Sequence, residues 1–189
     1  MCRKTTSAMK MIGSMFQAEN MDTRDFSAKA KMLLSSYRHV CWASIGFCKV
    51  GSEEKYMVCD DDIDQALTYL VEFSPTEDRR TFESNLKALC DSKWMMELVD
   101  DAMIQVKEFP DMGDLYFDLL SKFYLSKFKC GESEMLEILN MERSTYYDRK
   151  KEAILVFAWA LWGTVLPRTM FLLEEAESSF EYEVDESPD

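Results

Sequence analysis

The stretch that decides the fold is ESEMLEILNMERSTYYDRKKEAILVFAWALWGTVL, residues 132–166. It begins as an amphipathic helix of about two turns, because its apolar residues recur at helical spacing. The triplet Asn140-Met141-Glu142 then forms a turn, and asparagine tolerates the left-handed conformation that such a turn requires. A much longer helix starts at Arg143. On spacing alone, a helix-turn-helix that reads the DNA major groove and an ordinary helical hairpin fit this pattern equally well.

The second half of the long helix, residues 153–166, contains no charged residue. A membrane-spanning helix needs about twenty apolar residues, and Pro167-Arg168 ends this run earlier. We therefore expect a buried helix and no membrane partner. A helix that is apolar on all sides must be covered on all sides. The cover comes either from the N-terminal helices or from a second subunit, in which case residues 153–166 form a homodimer seam suited to a palindromic site.

The residues before this stretch also predict helices. Apolar stripes at helical spacing indicate a helix over residues 26–47 and a short one over residues 60–71. Ser74-Pro75-Thr76-Glu77 is a helix start signal, and the stripe that follows predicts one long helix ending before Pro110. A further helix is predicted over residues 115–128. The predicted fold class is all-α.

This pattern divides the chain into four regions. Residues 1–24 are polar and methionine-rich without a clear period, which predicts a flexible N-terminal arm. Residues 25–110 are expected to form a helical scaffold or oligomerisation region. Residues 111–173 carry the predicted helix-turn-helix and its apolar C-terminal helix. Residues 174–189 hold eight acids and no base, which predicts a disordered acidic tail.

The net charge of −13 is unevenly distributed. Outside the tail the chain has 22 basic and 27 acidic residues. Between Lys122 and Lys151 the balance reverses, with seven bases against five acids. Local charge governs binding more than total charge does, so an acidic chain can still present a face to nucleic acid.

The residue content argues against catalysis and metal binding. The chain has one histidine, His39, and six cysteines without the close pairing of a zinc site. It contains neither a glycine-rich phosphate loop nor a nucleophile elbow. We therefore expect a binding protein that is not an enzyme, without cofactor or metal. We see no secretory signal and expect free thiols in a reducing cytoplasm.

Residues 138–146, Ile-Leu-Asn-Met-Glu-Arg-Ser-Thr-Tyr, resemble the helix-turn-helix of bacterial sigma factor region 4, whose pattern reads I-L-G-x-S-R-S-T-V. Residues 144–158 resemble more specifically the ArpU family of phage late-gene regulators, which share S-T-Y-Y-x-x-K-K-x-A-x-x-x-F-A. The match covers about fifty residues. Two positions depart from the sigma pattern: Leu136 replaces a small alanine, and Glu142 replaces the capping serine.

The resemblance implies a sequence-specific regulator that binds double-stranded DNA and controls phage late genes for packaging or lysis. It implies RNA polymerase as a further partner and the cytoplasm of a bacterial host as the location. Two other classes stay open. One is a DNA-packaging component similar to a small terminase, which also joins a helix-turn-helix to helical oligomerisation elements. The other is a protein-binding helical module in which the helix-turn-helix is structural.

The candidate DNA-binding residues lie mainly at the start of the long helix. One exposed face is expected to carry Arg143, Ser144, Tyr147, Asp148 and Lys151. The guanidinium of Arg143 fits a guanine edge, and the hydroxyls of Ser144 and Thr145 can reach phosphate or base. Three more bases are assigned to the DNA backbone: Lys122, Arg149 and Lys150. Tyr146 is expected in the core.

Overall fold

A computed structural model describes residues 6–48, 67–90 and 94–184. The structure is 81% helical, and no strand occurs in these three ranges. The predicted all-α class is therefore confirmed.

Eight α-helices occur in the described ranges. They are α1 (Ser7–Ala18), α2 (Thr23–Cys48), α3 (Arg79–Cys90), α4 (Trp94–Lys107), α5 (Gly113–Leu120), α6 (Glu132–Ile138), α7 (Arg143–Ala160) and α8 (Leu166–Val184). Residues 67–72 are also helical. Two π-helical stretches, Ser121–Leu125 and Leu161–Val165, continue α5 and α7 respectively. The helix predicted over residues 115–128 therefore begins two residues earlier and ends at Leu125.

Helix α7 lies at the centre of the fold, where α1, α2, α4 and α5 pack around it. From Glu152 to Ala160 every residue except Trp159 is buried, and the π-helical turn buries Leu161 and Trp162 as well. The cover that an apolar helix requires thus comes from the chain's own helices. Of the two alternatives for residues 153–166, this structure shows burial by the chain's own helices.

A buried carboxylate holds three of these elements together. Glu152 is 1% exposed, and it accepts hydrogen bonds from the hydroxyls of Thr6 and Tyr116 and from the guanidinium of Arg149. The Thr6 hydroxyl also caps α1 by accepting from the Met9 amide at 3.1 Å. Burial, together with the Glu152 carboxylate, raises the pKa of Tyr116. The network connects the start of α1 and helix α5 to the middle of α7.

The structure corrects the prediction of a flexible arm over residues 1–24. Within this range, residues 7–18 form α1, and Ile12 and Phe16 are buried against the core. These two apolar residues are four positions apart, which places them on one helical face. Met9 and Met15 also pack against the core, so the apolar stripe of α1 comes partly from methionines, which the sequence-based prediction assigned to a flexible arm.

The predicted long helix before Pro110 is two helices, α3 and α4, on either side of residues 91–93, which lie outside the described ranges. The start is also later than predicted. Ser74-Pro75-Thr76-Glu77 forms a turn in which the Glu77 amide donates to the Ser74 carbonyl at 2.9 Å. Helix α3 starts instead after Asp78, whose carboxylate accepts from the amides of Arg80 and Thr81. Proline suits the second position of a β-turn as well as the first position of a helix, so the signal was ambiguous.

The charge-free run ends at Pro167-Arg168, but the helix continues. The chain stays helical through α8 to Val184, which includes residues 174–184 of the predicted acidic tail, and residues 185–189 lie outside the described ranges. Proline lacks an amide hydrogen and clashes with the carbonyl four residues before it. Here the π-helical turn precedes it: the Leu166 amide donates to the Leu161 carbonyl, five residues back. The hydrogen-bond spacing therefore changes from four to five residues immediately before Pro167, at the π-helical turn.

By length and composition, the helix from Arg143 to Glu175 could cross a membrane. More than half of its most apolar window is buried inside the protein, and core helices of soluble proteins meet the same criterion.

Two glycines give a matched test of the packing. A Cβ on Gly113 would lie 2.0 Å from the Lys107 carbonyl oxygen, whereas a Cβ on Gly13, inside α1, would meet nothing within 4 Å. We expect Gly113→Ala to lower the free energy of unfolding by about 2–3 kcal/mol through overpacking. Gly13→Ala should raise it by about 0.5–1 kcal/mol, because alanine favours a helix interior. Urea denaturation measures both, and shifts of the same sign would contradict this packing.

A second prediction concerns the buried carboxylate. Glu152→Ala should lower the free energy of unfolding by about 3–5 kcal/mol, since it leaves the guanidinium of Arg149 partly buried without its partner. Tyr116→Phe removes one hydrogen bond from the same carboxylate and should cost only about 1 kcal/mol. Thermal and urea denaturation of both variants measure which substitution lowers the free energy of unfolding more. Equal losses would show that the ion pair does not dominate this network.

Candidate nucleic-acid interface

The turn between α6 and α7 is built from backbone hydrogen bonds. Asn140 has a φ of 48°, so the predicted left-handed conformation is confirmed. Its amide donates to the Glu137 carbonyl at 3.2 Å, and the Met141 amide donates to the Leu136 carbonyl at 3.1 Å. This is the Schellman arrangement that ends a helix. Helix α7 begins two residues later, which gives the pair a short helix, a tight turn and a long helix.

The same turn joins α1 to α2. Asn20 has a φ of 53°, its amide donates to Gln17, and the Met21 amide donates to the Phe16 carbonyl at 2.9 Å. The sequence carries the signal twice, as Asn20-Met21-Asp22 and Asn140-Met141-Glu142. The sequence-based prediction missed the first copy, although Met9, Ile12, Met15 and Phe16 precede it at helical spacing. The turn alone therefore does not distinguish a DNA-reading pair from a structural one.

The two pairs differ at the start of the second helix. The Asp22 carboxylate caps α2 by accepting from the amides of Arg24 and Asp25, both at 2.9 Å. Glu142, at the equivalent place before α7, makes no side-chain hydrogen bond to the first turn. The first-turn amides of α7 are therefore not occupied by a capping side chain.

The first turns of α7 carry most of the predicted site residues at the surface. Arg143, Ser144, Thr145, Tyr147 and Lys151 are exposed, and Asp148 is half-buried. Tyr146 is buried, as predicted, and so anchors this end of the helix. Helical spacing places residues 144, 147, 148 and 151 on one side.

Arg143 and Tyr147 contact the same carboxylate. The Arg143 Nε lies 2.8 Å from Glu132 Oε1, and the Tyr147 hydroxyl donates to Glu132 Oε2 at 2.7 Å. The guanidinium also lies 5.9 Å from the centre of the Tyr147 ring. The hydrogen bond with Tyr147 and the charge of Glu132 raise the pKa of Arg143. We call these three residues the Glu132 cluster.

The sequence assigns Arg149 and Lys150 to the DNA backbone, whereas in this structure both side chains turn inward. Arg149 binds the buried Glu152. The Nζ of Lys150 lies 3.1 Å from the centre of the Phe123 ring, 5.3 Å from that of Tyr124 and 5.6 Å from that of Tyr146. These three rings form an aromatic cage. Burial in it lowers the pKa of Lys150 to about 8. Spacing could not reveal this, because the π-helical stretch supplies two of the rings.

The surface around α7 is closer to neutral than the sequence count indicated. Lys122 pairs with Asp118 at 3.0 Å, and Arg143, Arg149 and Lys150 have the partners given above. Lys129 and Lys151 are exposed, and so are the acids Glu134, Glu137 and Glu142. Of the seven bases between Lys122 and Lys151, Arg149 and Lys150 turn into the protein, which reduces the positive charge at the surface.

The cage predicts how stability depends on pH. The pKa of Lys150 is about 8 in the folded chain and 10.5 ordinarily, so between these values the unfolded chain binds more protons. The contribution of Lys150 to stability should therefore rise as the pH rises from 8 to 10. Burial raises the pKa of Tyr69, Tyr124 and Tyr146 to about 12 and raises that of Tyr116 as well, so these hydroxyls lower stability as the pH reaches 10, and the rise from Lys150 is clearest between pH 8 and 9. Urea denaturation at pH 7, 8, 9 and 10 measures this rise.

The matched variants are Lys150→Met and Lys151→Met. Lys150→Met should abolish the rise and be at least as stable as wild type at pH 7, because an apolar side chain replaces a buried charge. Lys151→Met, at an exposed lysine, should keep the rise. A rise that survives in Lys150→Met would contradict the cage.

No protein-family model matches the chain, and neither a curated protein nor a solved structure matches it significantly. The resemblance of residues 138–158 to sigma region 4 and the ArpU family stays a prediction from the sequence.

Proposed function

We propose that this protein binds double-stranded DNA sequence-specifically through α6 and α7, as a regulator of phage late-gene transcription in a bacterial host. The observation that carries the proposal is the division of α7 into two halves. Its second half is buried on all sides, whereas its first two turns present a row of exposed polar residues. A rigidly held helix with an exposed, polar N-terminal end is the element that helix-turn-helix proteins place in the major groove.

The exposed residues of α7 differ in which part of the DNA they would contact. The hydroxyls of Ser144 and Thr145 lie in the first turn of α7, at the end that would enter the groove, and suit contacts to base edges or phosphate. Lys151 lies two turns further along, where a lysine contacts the backbone as a point charge. The uncapped amides at the start of α7 also suit a phosphate, since a helix N-terminus favours negative charge.

The comparison with α1 and α2 supports the choice of the C-terminal pair. The first-turn amides of α2 already bind the Asp22 carboxylate, which would repel phosphate. The α6–α7 pair has the same turn without that carboxylate bond. RNA polymerase remains the protein partner that the resemblance implies for the regulator.

The test begins with selection of bound sequences from a random duplex pool, followed by titrations at several salt concentrations. Lys151→Ala should weaken binding to selected and random duplexes alike and reduce the salt slope by about one, because one phosphate contact is lost. Lys150→Met removes the same charge from the neighbouring position. It should leave affinity and slope nearly unchanged, because that charge lies in the aromatic cage.

Two outcomes would contradict the proposal. If the pool yields no enriched sequence and wild type shows no salt-dependent retention, the pair is a structural hairpin in a protein-binding module. If DNA is bound by a ring of many subunits, measured as mass in solution, the packaging class fits better than a regulator. A monomer or dimer that enriches one sequence supports the regulator.

A further inference from the structure

The Glu132 cluster places two donors on one anionic group. The guanidinium Nε of Arg143 and the hydroxyl of Tyr147 each bind a different oxygen of the same carboxylate, at 2.8 and 2.7 Å. Arg143 and Tyr147 both lie on α7, one helical turn apart, whereas Glu132 comes from the start of α6. The donors are thus fixed relative to each other by α7, and the acceptor is supplied by a separate helix.

A phosphate group presents the same chemistry as this carboxylate. Both offer at least two negatively charged oxygens on one centre, and arginine binds either with short, charge-assisted hydrogen bonds. We infer that Arg143 and Tyr147 form a phosphate-binding site, which Glu132 occupies in the free protein in place of the phosphate. The inference rests on the proposed function where the phosphate comes from DNA, and the same site could take a soluble phosphate ester.

Glu132 is placed so that it can leave the site without unfolding α6. Its side chain is 35% exposed, and that of Arg143 is 72% exposed, so the ion pair lies in water and contributes little to stability. The start of α6 is stabilised by another carboxylate: Glu134 accepts from the Gly131 amide at 2.7 Å. Tyr147 is 44% exposed, so its hydroxyl is accessible once Glu132 moves.

This arrangement changes the expected role of Arg143. The sequence-based hypothesis aims its guanidinium at a guanine edge, whereas the structure directs it towards Tyr147 and a single anion. It also explains why the face of α7 is near neutral in the free protein. Phosphate must displace Glu132 before Arg143 contributes a positive charge, so the closed site weakens binding to DNA of any sequence.

The experiment compares Glu132→Gln with Glu137→Gln, an exposed acid on the same helix whose removal changes the net charge equally. Binding to a random-sequence duplex is titrated across salt concentrations. Glu132→Gln should bind about threefold to tenfold more tightly than Glu137→Gln at low salt. Its salt dependence should be steeper by about 0.9 in log–log slope, because one more phosphate is contacted. Adding Arg143→Ala to Glu132→Gln should abolish both differences, while Arg143→Ala alone should change little.

A second readout needs no DNA. The ¹⁵Nε–¹Hε resonance of Arg143 is followed by NMR during titration with tripolyphosphate, in wild type and in Glu132→Gln. We expect a saturable shift at lower tripolyphosphate concentration in Glu132→Gln than in wild type. Circular dichroism and thermal melting confirm that each variant is folded.

The outcomes separate this inference from the proposed function. If wild type binds duplex DNA but Glu132→Gln and Glu137→Gln behave alike, the phosphate site is overturned and DNA binding stands. If no variant binds duplex DNA yet tripolyphosphate shifts the Arg143 resonance, the site stands with a soluble phosphate ester as its ligand and the proposed function fails. If neither probe binds, both fail.

Discussion

The structure depends on one constraint: a helix without a polar face must be surrounded. From Glu152 to Trp162 almost every side chain is buried, so neighbours are needed in every direction around α7. Helices α1, α2, α4 and α5 supply them. Helix α1 packs here although only two of its apolar residues are fully buried. The first turns of α7 lie outside this packing and stay exposed at the surface.

Three consecutive charged residues, Arg149, Lys150 and Lys151, lie at the boundary between the exposed and buried halves of α7. Arg149 turns inward to Glu152, Lys150 enters the aromatic cage, and Lys151 faces solvent. Burying a charge is costly unless a partner is present. The partner of Arg149 is the Glu152 carboxylate, and the partners of Lys150 are the aromatic rings of the cage. These contacts hold α7 against α5 and the π-helical stretch after it, and they also remove positive charge from the candidate DNA face.

Nearby acidic residues offset the remaining positive charge of that face. Glu132 and the exposed acids near the turn offset Arg143, Lys129 and Lys151, so the free protein does not present a strongly basic surface. A face of this kind would discriminate by the fit of α7 in the groove more than by general attraction to phosphate. The two helix pairs share the same Asn-Met turn but differ at the start of the second helix. The Asp22 carboxylate caps α2, whereas Glu142 makes no such bond to α7.

The sequence by itself determined the all-α class, the left-handed turn at Asn140, the burial of Tyr146 and the exposed start of α7. Each depends on local information: helical periodicity, the conformational preference of one residue, or the position of an apolar residue in a stripe. Tertiary structure decided the rest, namely the packing of α1 against the core and the inward course of Arg149 and Lys150. These outcomes depend on partners distant in sequence, such as Thr6 with Glu152 or Phe123 with Lys150, and periodicity carries no information about which distant groups meet.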